Sequence, residues 1–569
     1  IPISMLIAFA SMSFMGFTLN MIVLFSLVLA VGMLVDNAIV IVENIYRNRM
    51  LGMTRHEAAR RGAGEVAWPV ITSTLTTCAA FSPLLFWPGM MGQFMGFMPR
   101  TLIVTLLASL FVAIVVNPAI CSFFIGGSKR EAKEEEKTHP FVHAYERFLT
   151  AALRHRVPVV LMGFAFLVLT IQIYGRFGEG QELFPDVAPR NAVIEVKFPQ
   201  GTSIERTDEA LRAIEQKIPE YADVEFYLTT VGAGGGGGFL GSGVGSHLGT
   251  IRVEFLDYAD RAGDSAEIVD ALRKDIGSIP GAEVKVDKEE EGPPTGAPIS
   301  IELTGDDFET LSELSASVVR RIETVPGLVD LQDDYEEALP ELRFNVDRKR
   351  AALVGLDMAS IGLFLRTAIY GLEASKLRID EEEFDITLRF PKAERSSAKM
   401  LDEIYIPVMG GASVPLSSLG RVEYAGGRGT ISRKDQNRVI TISGSNHGRG
   451  VDKILADIQG LLKDFNLPSG YAITYAGDNQ EMEESGAFLS KAFAVALGLI
   501  LVILVIQFNS ALLPIIIVFS VVLSLIGVMW GLLICHMRFG VIMTGVGVIS
   551  LAGIVVNNAI VLVDCVRQI

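Results

Sequence analysis

Cysteine is scarce in this 569-residue sequence, and so is charge. The four cysteines, Cys78, Cys121, Cys535 and Cys565, all lie in apolar stretches. Thiols so widely spaced form neither a disulfide framework nor a paired-cysteine metal site, and we read them as packing residues. Only 20% of the residues are charged against 50% hydrophobic, and mean hydropathy is +0.41. That is too apolar for a string of soluble domains and points to a membrane protein. A basic excess is also missing: the net charge is -16 and the pI about 5.1, which excludes the electrostatic footprint of a nucleic-acid binder. The sequence holds no P-loop, no nucleophile elbow and no metal-ligand spacing, so neither an ATP-driven pump nor an enzyme is expected of this chain. It opens at Ile1 inside an apolar run, without an initiator methionine or signal peptide, and stops at Ile569 just past another; we read it as a piece lacking both ends.

What is present is a series of apolar runs. About 20 apolar residues cross a hydrocarbon core. By that measure the candidate spans are 1–17, 21–46, 66–88, 101–125 and 157–174, then 487–506, 512–533 and 541–566. The segment between the second and third spans carries Arg47, Arg49, Arg55, Arg60 and Arg61. That between the fourth and fifth carries Lys129, Arg130, Lys133, Lys137, Arg147, Arg154 and Arg156. Segments 18–20 and 89–99 hold no Lys or Arg. The positive-inside rule then puts the basic segments in the cytoplasm and the long stretch between the two groups of spans on the other side.

That long stretch reads as repeated α/β units. Residues 191–198 alternate as a strand, and Thr202 with Glu205 forms a capping box before a helix whose Ile204, Leu211, Ile214 and Ile218 share a face. Strands at 224–230 and 250–256, a helix opened by Asp264 and Glu267, and a strand at 283–287 complete a split βαβ module. Further units start at 299–303 and 438–443, with a different, inserted region at about 348–424 between them. The fold class expected is therefore a polytopic α-helical membrane protein with a large extracytoplasmic α+β insertion of repeated βαβ, ferredoxin-like subdomains. Residues 232–249, GAGGGGGFLGSGVGSHLG, are the one low-complexity segment and read equally as a linker or as a mobile functional loop.

The chemistry is carried by an internal repeat. Residues 32–44 read GMLVDNAIVIVEN and 553–565 read GIVVNNAIVLVDC, identical at 7 of 13 positions. Two similar halves of a transporter would bring such copies together near the midplane, where coupling-ion sites lie. Asp36 sits roughly 15–22 Å from either end of its span at 1.5 Å per residue. An Asp at that depth costs about 2.5–3.5 kcal/mol on insertion scales, so it is expected to face other helices and to bind and release a proton. Asn37, Asn557 and Asn558 supply amides able to hold either protonation state without adding charge. Amides also glue helices together, and for the asparagines that reading carries equal weight. Glu43 and Asp564 lie two turns further on and read as solvated helix-end acids.

The VDNAIVIVEN run, the NPAIC of residues 117–121 that closes another span, and the large α/β insertion together resemble the resistance-nodulation-division (RND) superfamily, in particular its AcrB-like hydrophobe/amphiphile efflux branch. The resemblance covers essentially the whole chain and implies its third to tenth transmembrane helices. It divides the chain into transmembrane helices at 1–175 with a cytoplasmic linker at about 126–156, porter subdomains at 176–347, a docking subdomain at 348–430, the return of the second porter subdomain at 431–485, and transmembrane helices at 486–569. It implies a multi-pass protein of the bacterial inner membrane with a large periplasmic domain. It further implies a homotrimer that works with a periplasmic adaptor (membrane fusion protein) and an outer-membrane channel, is driven by the proton gradient without a cofactor, and exports small amphiphilic substrates. The proton relay would then comprise Asp36, Asn37, Asn557 and Asn558. The substrate-path loop would comprise Gly232, Gly234, Gly236, Gly238 and Phe239. Two departures stand out: the best-known members carry a second Asp in place of Asn37 and a Lys in place of Asn557, and they have several phenylalanines where the loop here has only Phe239. The alternatives are a heavy-metal pump of the same superfamily, for which the insertion offers only His247, His447, Met358, Met400 and Met409 as soft ligands, and a non-exporting relative such as a protein-translocation accessory or a sterol-sensing receptor.

Overall fold

The computed structural model describes residues 1–125, 140–185, 188–234, 244–289, 296–335, 340–380, 382–392, 394–395, 399–408, 411–426 and 431–568. The first helical group comprises α1 (Pro2–Phe14), α2 (Met21–Met50), α3 (Arg55–Phe81), α4 (Gly89–Met95), α5 (Phe97–Phe111), α6 (Asn117–Phe124), α7 (Pro140–Arg154) and α8 (Arg156–Phe177). Among the described residues seven helical stretches are long and apolar enough to cross a membrane, and α1 is a shorter apolar helix at the chain start. Prolines shape two of the spans. Pro83 turns the end of α3 into a 3₁₀ segment, Ser82–Phe86, and a π turn, Val112–Val116, precedes Pro118 between α5 and α6. Pro118 has no N–H to give to the preceding turn, and the wider i→i+5 spacing absorbs that loss. Pro69, by contrast, lies inside α3 without ending it.

The insertion begins with β1 (Gln181–Glu182), then runs β2 (Asn191–Lys197), α9 (Ile204–Glu215), β3 (Val224–Ala233), β4 (Val244–Phe255), α10 (Ser265–Ile276) and β5 (Glu283–Lys288). The sheet order is β3-β4-β2-β5 and every pair is antiparallel, the ferredoxin-like arrangement. Ala192, Ile194 and Val196 alternate into the core and meet Leu211 and Ile214 of α9 and Leu272 of α10; each fully buried aliphatic side chain contributes about 1.5–3 kcal/mol. Ile204 stays 45% exposed, so it is not on the buried face expected for it. The cap of α9 is also one residue later than expected: Thr202 Oγ1 donates to Pro199 O, and Ser203 accepts from the Arg206 N–H.

A second module repeats the plan with β6 (Ile299–Gly305), α11 (Phe308–Ile322) and β7 (Leu328–Asp333) before a long inserted unit. That unit holds β8 (Pro340–Val346), α12 (Arg348–Leu353), α13 (Met358–Ile369), β9 (Leu372–Ile379), β10 (Glu382–Leu388), α14 (Met400–Glu403), β11 (Tyr405–Pro407), β12 (Ser413–Pro415), α15 (Leu416–Leu419) and β13 (Gly420–Gly426). β8 and β13 pair antiparallel, which closes the base of the unit and includes 340–346 in it. The module then resumes with β14 (Arg433–Lys434), β15 (Asn437–Asn446), α16 (Val451–Leu462) and β16 (Ala472–Ala476). β15 pairs with β7 and β6, and β6 with β16, so the order matches that of the first module. Where the first module has the glycine-rich link between β3 and β4, the second has the entire inserted unit. The chain returns to the helical region through α17 (Asp478–Phe508), α18 (Leu512–Ile534), β17 (Phe539–Gly540) and α19 (Val541–Gln568).

Candidate functional site

The two copies of the internal repeat lie on α2 and α19, and α3 packs against both. The approach of α3 is close on each side. A Cβ added at Gly62 of α3 would lie 2.7 Å from the Ile45 Cα of α2, and one added at Gly553 of α19 would lie 3.1 Å from Thr77 Cγ2 of α3. Glycine therefore lets the backbones come near enough for short polar side chains to meet.

Asp36 faces α19, where the Asn557 Nδ2 donates to its Oδ2 at 3.4 Å. The other end of the same amide, Asn557 Oδ1, accepts from the Ser73 hydroxyl of α3, so the amide is oriented from both sides. Asn37, one residue on, is only 5% exposed and turns the other way, its Nδ2 donating to Thr74 Oγ1 at 3.1 Å. The Thr74 hydroxyl in turn donates to Val70 O at 2.9 Å. Thr77 Oγ1 lies 3.1 Å from Ser73 O and 3.4 Å from Gly553 O, linking α3 to the first residue of the second repeat copy. These side chains line a cavity of about 10 Å³ with apolar walls from Met33, Leu106 and Ile554. That is about the volume one water needs. Among the described residues Asp36 has no Lys or Arg within salt-bridge distance, and the Asn557 amide is the group that donates to its carboxylate.

Of the expected relay, then, Asp36, Asn37 and Asn557 come together. Asn558 does not: it is exposed on the outer side of α19, because a one-residue step turns a helix by about 100°. Glu43 is exposed, but it is not at a helix end as expected: α2 continues for seven residues beyond it, to Met50. The sequence reading missed Ser73, Thr74 and Thr77, whose signal was the run TSTLTT at 72–77, dense in hydroxyls for an apolar span. In the glycine-rich loop, Gly232 sits one residue before the end of β3, at a register shift, with φ +90, a left-handed conformation that suits glycine, and Gly234 follows that strand. Gly236, Gly238 and Phe239 lie outside the described residues, as does Met409. Met358 stands 47% exposed on α13, Met400 packs into the core of the inserted unit, and His447 pairs with Asp270 at 3.3 Å.

Apolar helices in two groups, a pair of ferredoxin-like modules between them and a carboxyl held at the crossing of two repeat copies define a multi-pass membrane protein with the RND permease fold. The chain belongs to the AcrB/AcrD/AcrF family, whose model matches residues 1–569. It is 25% identical over 597 residues to the cobalt-zinc-cadmium resistance protein CzcA of Cupriavidus metallidurans, covering 100% of this chain and 55% of that protein. It is 24% identical over 574 residues to the multidrug resistance protein MdtC of Proteus mirabilis, covering 99% of this chain and 55% of that one. Among solved structures, the crystal structure of a heavy metal efflux pump superposes with a TM-score of 0.80 at 22% identity, over 100% of this chain and 56% of the other. That likeness concerns the fold. The chain spans about half the length of the curated relatives it matches.

Proposed function

We propose that the full-length protein is a proton-driven RND efflux transporter of the bacterial inner membrane. In this reading it is a homotrimer that exports hydrophobic or amphiphilic compounds through a periplasmic adaptor and an outer-membrane channel. The residues at 348–430 dock those partners, and the glycine-rich segment at 232–249 borders the substrate path. The observation that supports it most is the hydrogen bond from Asn557 to Asp36 between two sequence-related helices.

The chemistry follows from the amide's polarity. An ionised Asp36 accepts from the Asn557 N–H. A protonated Asp36 has an O–H to donate and needs an acceptor, which Asn557 offers only by turning its oxygen inward. Its nitrogen then meets the Ser73 hydroxyl, whose proton is free to swing to the carbonyl one turn back on α3. Protonation thus exchanges one set of bonds among α2, α3 and α19 for another, and a two-state helix packing is biased by the proton.

A second reading, cation efflux, is favoured by the likeness to CzcA. The amphiphile reading is supported by the insertion's ligand set, which contains no cysteine and buries Met400 in a hydrophobic core. The test is an efflux-deficient strain carrying the full-length protein, challenged with dyes, detergents, bile salts, copper, silver, zinc and cobalt. Raised tolerance to the organic compounds alone supports amphiphile export, and tolerance to metals that falls when Met358, Met400 and Met409 are replaced together moves the protein to the metal branch.

A further inference from the structure

α19 carries more than Asn557. Its first turn is preceded directly by β17, which pairs in parallel with β1, Phe539 opposite Gln181 and Gly540 opposite Glu182. The Phe539 N–H donates to Gly180 O at 3.0 Å and the Ile542 N–H to Leu183 O at 3.4 Å, extending the contact into the helix. Arg538 lies 3.6 Å from Glu182, the two side chains 21% and 14% exposed. Leu183 is buried among Val541, Ile542 and Met482 of the helical core, and the Phe184 ring meets Phe94 of α4 edge-on at 6.5 Å.

The same short segment is gripped from the other side by the second module. The Lys453 ammonium of α16 donates to Gly178 O at 3.1 Å. The Asp452 carboxylate lies against Gly180, where an added Cβ would stand 2.7 Å from Oδ1; Gly180 has φ +103 as well, so no other residue fits easily. Residues 178–184 also precede β2 of the first module in the sequence, Leu183 standing eight positions before Asn191. One stretch of chain thus touches the start of α19 and the body of the second module, and stands next before the first in the sequence.

We infer that the β1–β17 ladder with the Glu182–Arg538 pair is a coupling joint, and that Glu182, Arg538 and Gly180 are positioning residues that carry movement of α19 into both α/β modules. The inference rests on the proton-driven reading. From Val541 to Asn557 is about 24 Å of continuous helix at 1.5 Å per residue. A helix packed along its length moves as a rod rather than bending locally, so a shift at the Asp36 cavity appears at its other end. There the joint converts it into displacement of 178–184, which the second module grips and from which the chain continues to the first.

The experiment uses the full-length protein in proteoliposomes under an imposed pH gradient, following dye export and proton flux together. Variants are Glu182→Gln, Arg538→Gln, Gly180→Ala, the exchanged pair Glu182→Arg with Arg538→Glu, and Asp36→Asn. The joint predicts that the single variants keep Asp36-dependent proton flux while export per proton falls about tenfold, within the usual range of coupling between sites, and that the exchanged pair recovers most of it. Unchanged export per proton overturns the proposal, as does a parallel fall of export and flux that the exchange leaves uncorrected. A second measurement is amide exchange of 178–184 in the parent and in Asp36→Asn: altered protection supports the joint, identical protection overturns it. If the parent shows no proton flux that Asp36→Asn abolishes, it is the proton-driven reading that fails, and the joint fails with it.

Discussion

Asn557 Nδ2 lies 3.4 Å from Asp36 Oδ2, and these two residues occupy the same position in the two copies of a thirteen-residue pattern. One copy keeps an acid there and the other an amide, so the pair stays neutral when the acid is protonated and carries a single negative charge when it is not. A helix that crosses the apolar layer tolerates such a charge only where polar groups are arranged around it.

Replacement of Asp36 by Asn separates mechanism from structure. The amide costs less to bury than an ionised carboxylate, so membrane insertion and thermal stability are expected to match or exceed the parent. Coupled proton flux and dye export in proteoliposomes should drop to background. Full activity at matched incorporation would take Asp36 out of the mechanism.

Ser73→Ala removes the hydroxyl that orients Asn557. A net hydrogen bond of this kind is worth about 0.5–1.5 kcal/mol, and coupled transport should fall by roughly twofold to tenfold on that scale. Thr76→Ala is the control. Its hydroxyl donates to Thr72 O within α3 at 2.7 Å, and its loss should leave the transport rate near the parental value. Equal effects of the two changes would argue against a role for the Asn557 orientation.

Gly62→Ala should loosen the contact between α2 and α3, because the new methyl would lie 2.7 Å from the Ile45 Cα and 2.9 Å from its nitrogen. Overpacking of this kind costs about 1–3 kcal/mol. Gly64→Ala, where no atom lies within 4 Å of the added carbon, should gain slightly from helix propensity. Thermal unfolding of the two variants in detergent checks the contrast.

Asp330 of β7 gives a pH-dependent prediction outside the membrane-spanning helices. Burial pushes its carboxyl upward from the ordinary 3.8, and the nearby Arg273 opposes the shift only in part. Arg273 reaches it across the two modules at 3.1 Å. The folded protein therefore holds this proton at pH values where the unfolded chain has released it. The group's contribution to stability falls as pH rises from 3.8 toward the folded value, then levels off. Asp330→Asn removes that slope. The stability difference between variant and parent should shift in favour of the variant as pH rises through this window, measured by unfolding at a series of pH values, and a difference independent of pH would contradict the assignment.

Much of this architecture was readable in advance, for physical reasons. Lipid-crossing helices announce themselves by unbroken hydropathy, and β2 by the alternation of Ala192, Ile194 and Val196 with Asn191, Glu195 and Lys197, interrupted only at Val193. Asp36 stood out because an acid in an apolar run costs more to bury than the amide that would serve for helix packing alone. Ser73 and Thr74 were not, since hydroxyls inside an apolar helix ordinarily satisfy themselves on the preceding turn, and only the position of α3 between α2 and α19 gives them other partners. Nor does a repeat disclose which of two adjacent asparagines faces inward; Asn557 and Asn558 differ by rotation alone. β4 starts at Val244 rather than 250 because Gly245 and Gly249 interrupt the alternation, and Gly249 is there to let Leu211 pack, an added Cβ falling 2.4 Å from Leu211 Cδ1.

The matching strand orders of the two α/β modules bear on how such a protein can be re-engineered. In both, the connection from second to third strand leaves and re-enters at neighbouring strands, β3 beside β4 and β7 beside β15. Material spliced in at that point does not have to pass through the sheet or its helices, and the second module already accommodates an entire folded unit there. The first module has the equivalent address between β3 and β4, so its chain topology leaves room for an added unit at the same point without rethreading the sheet.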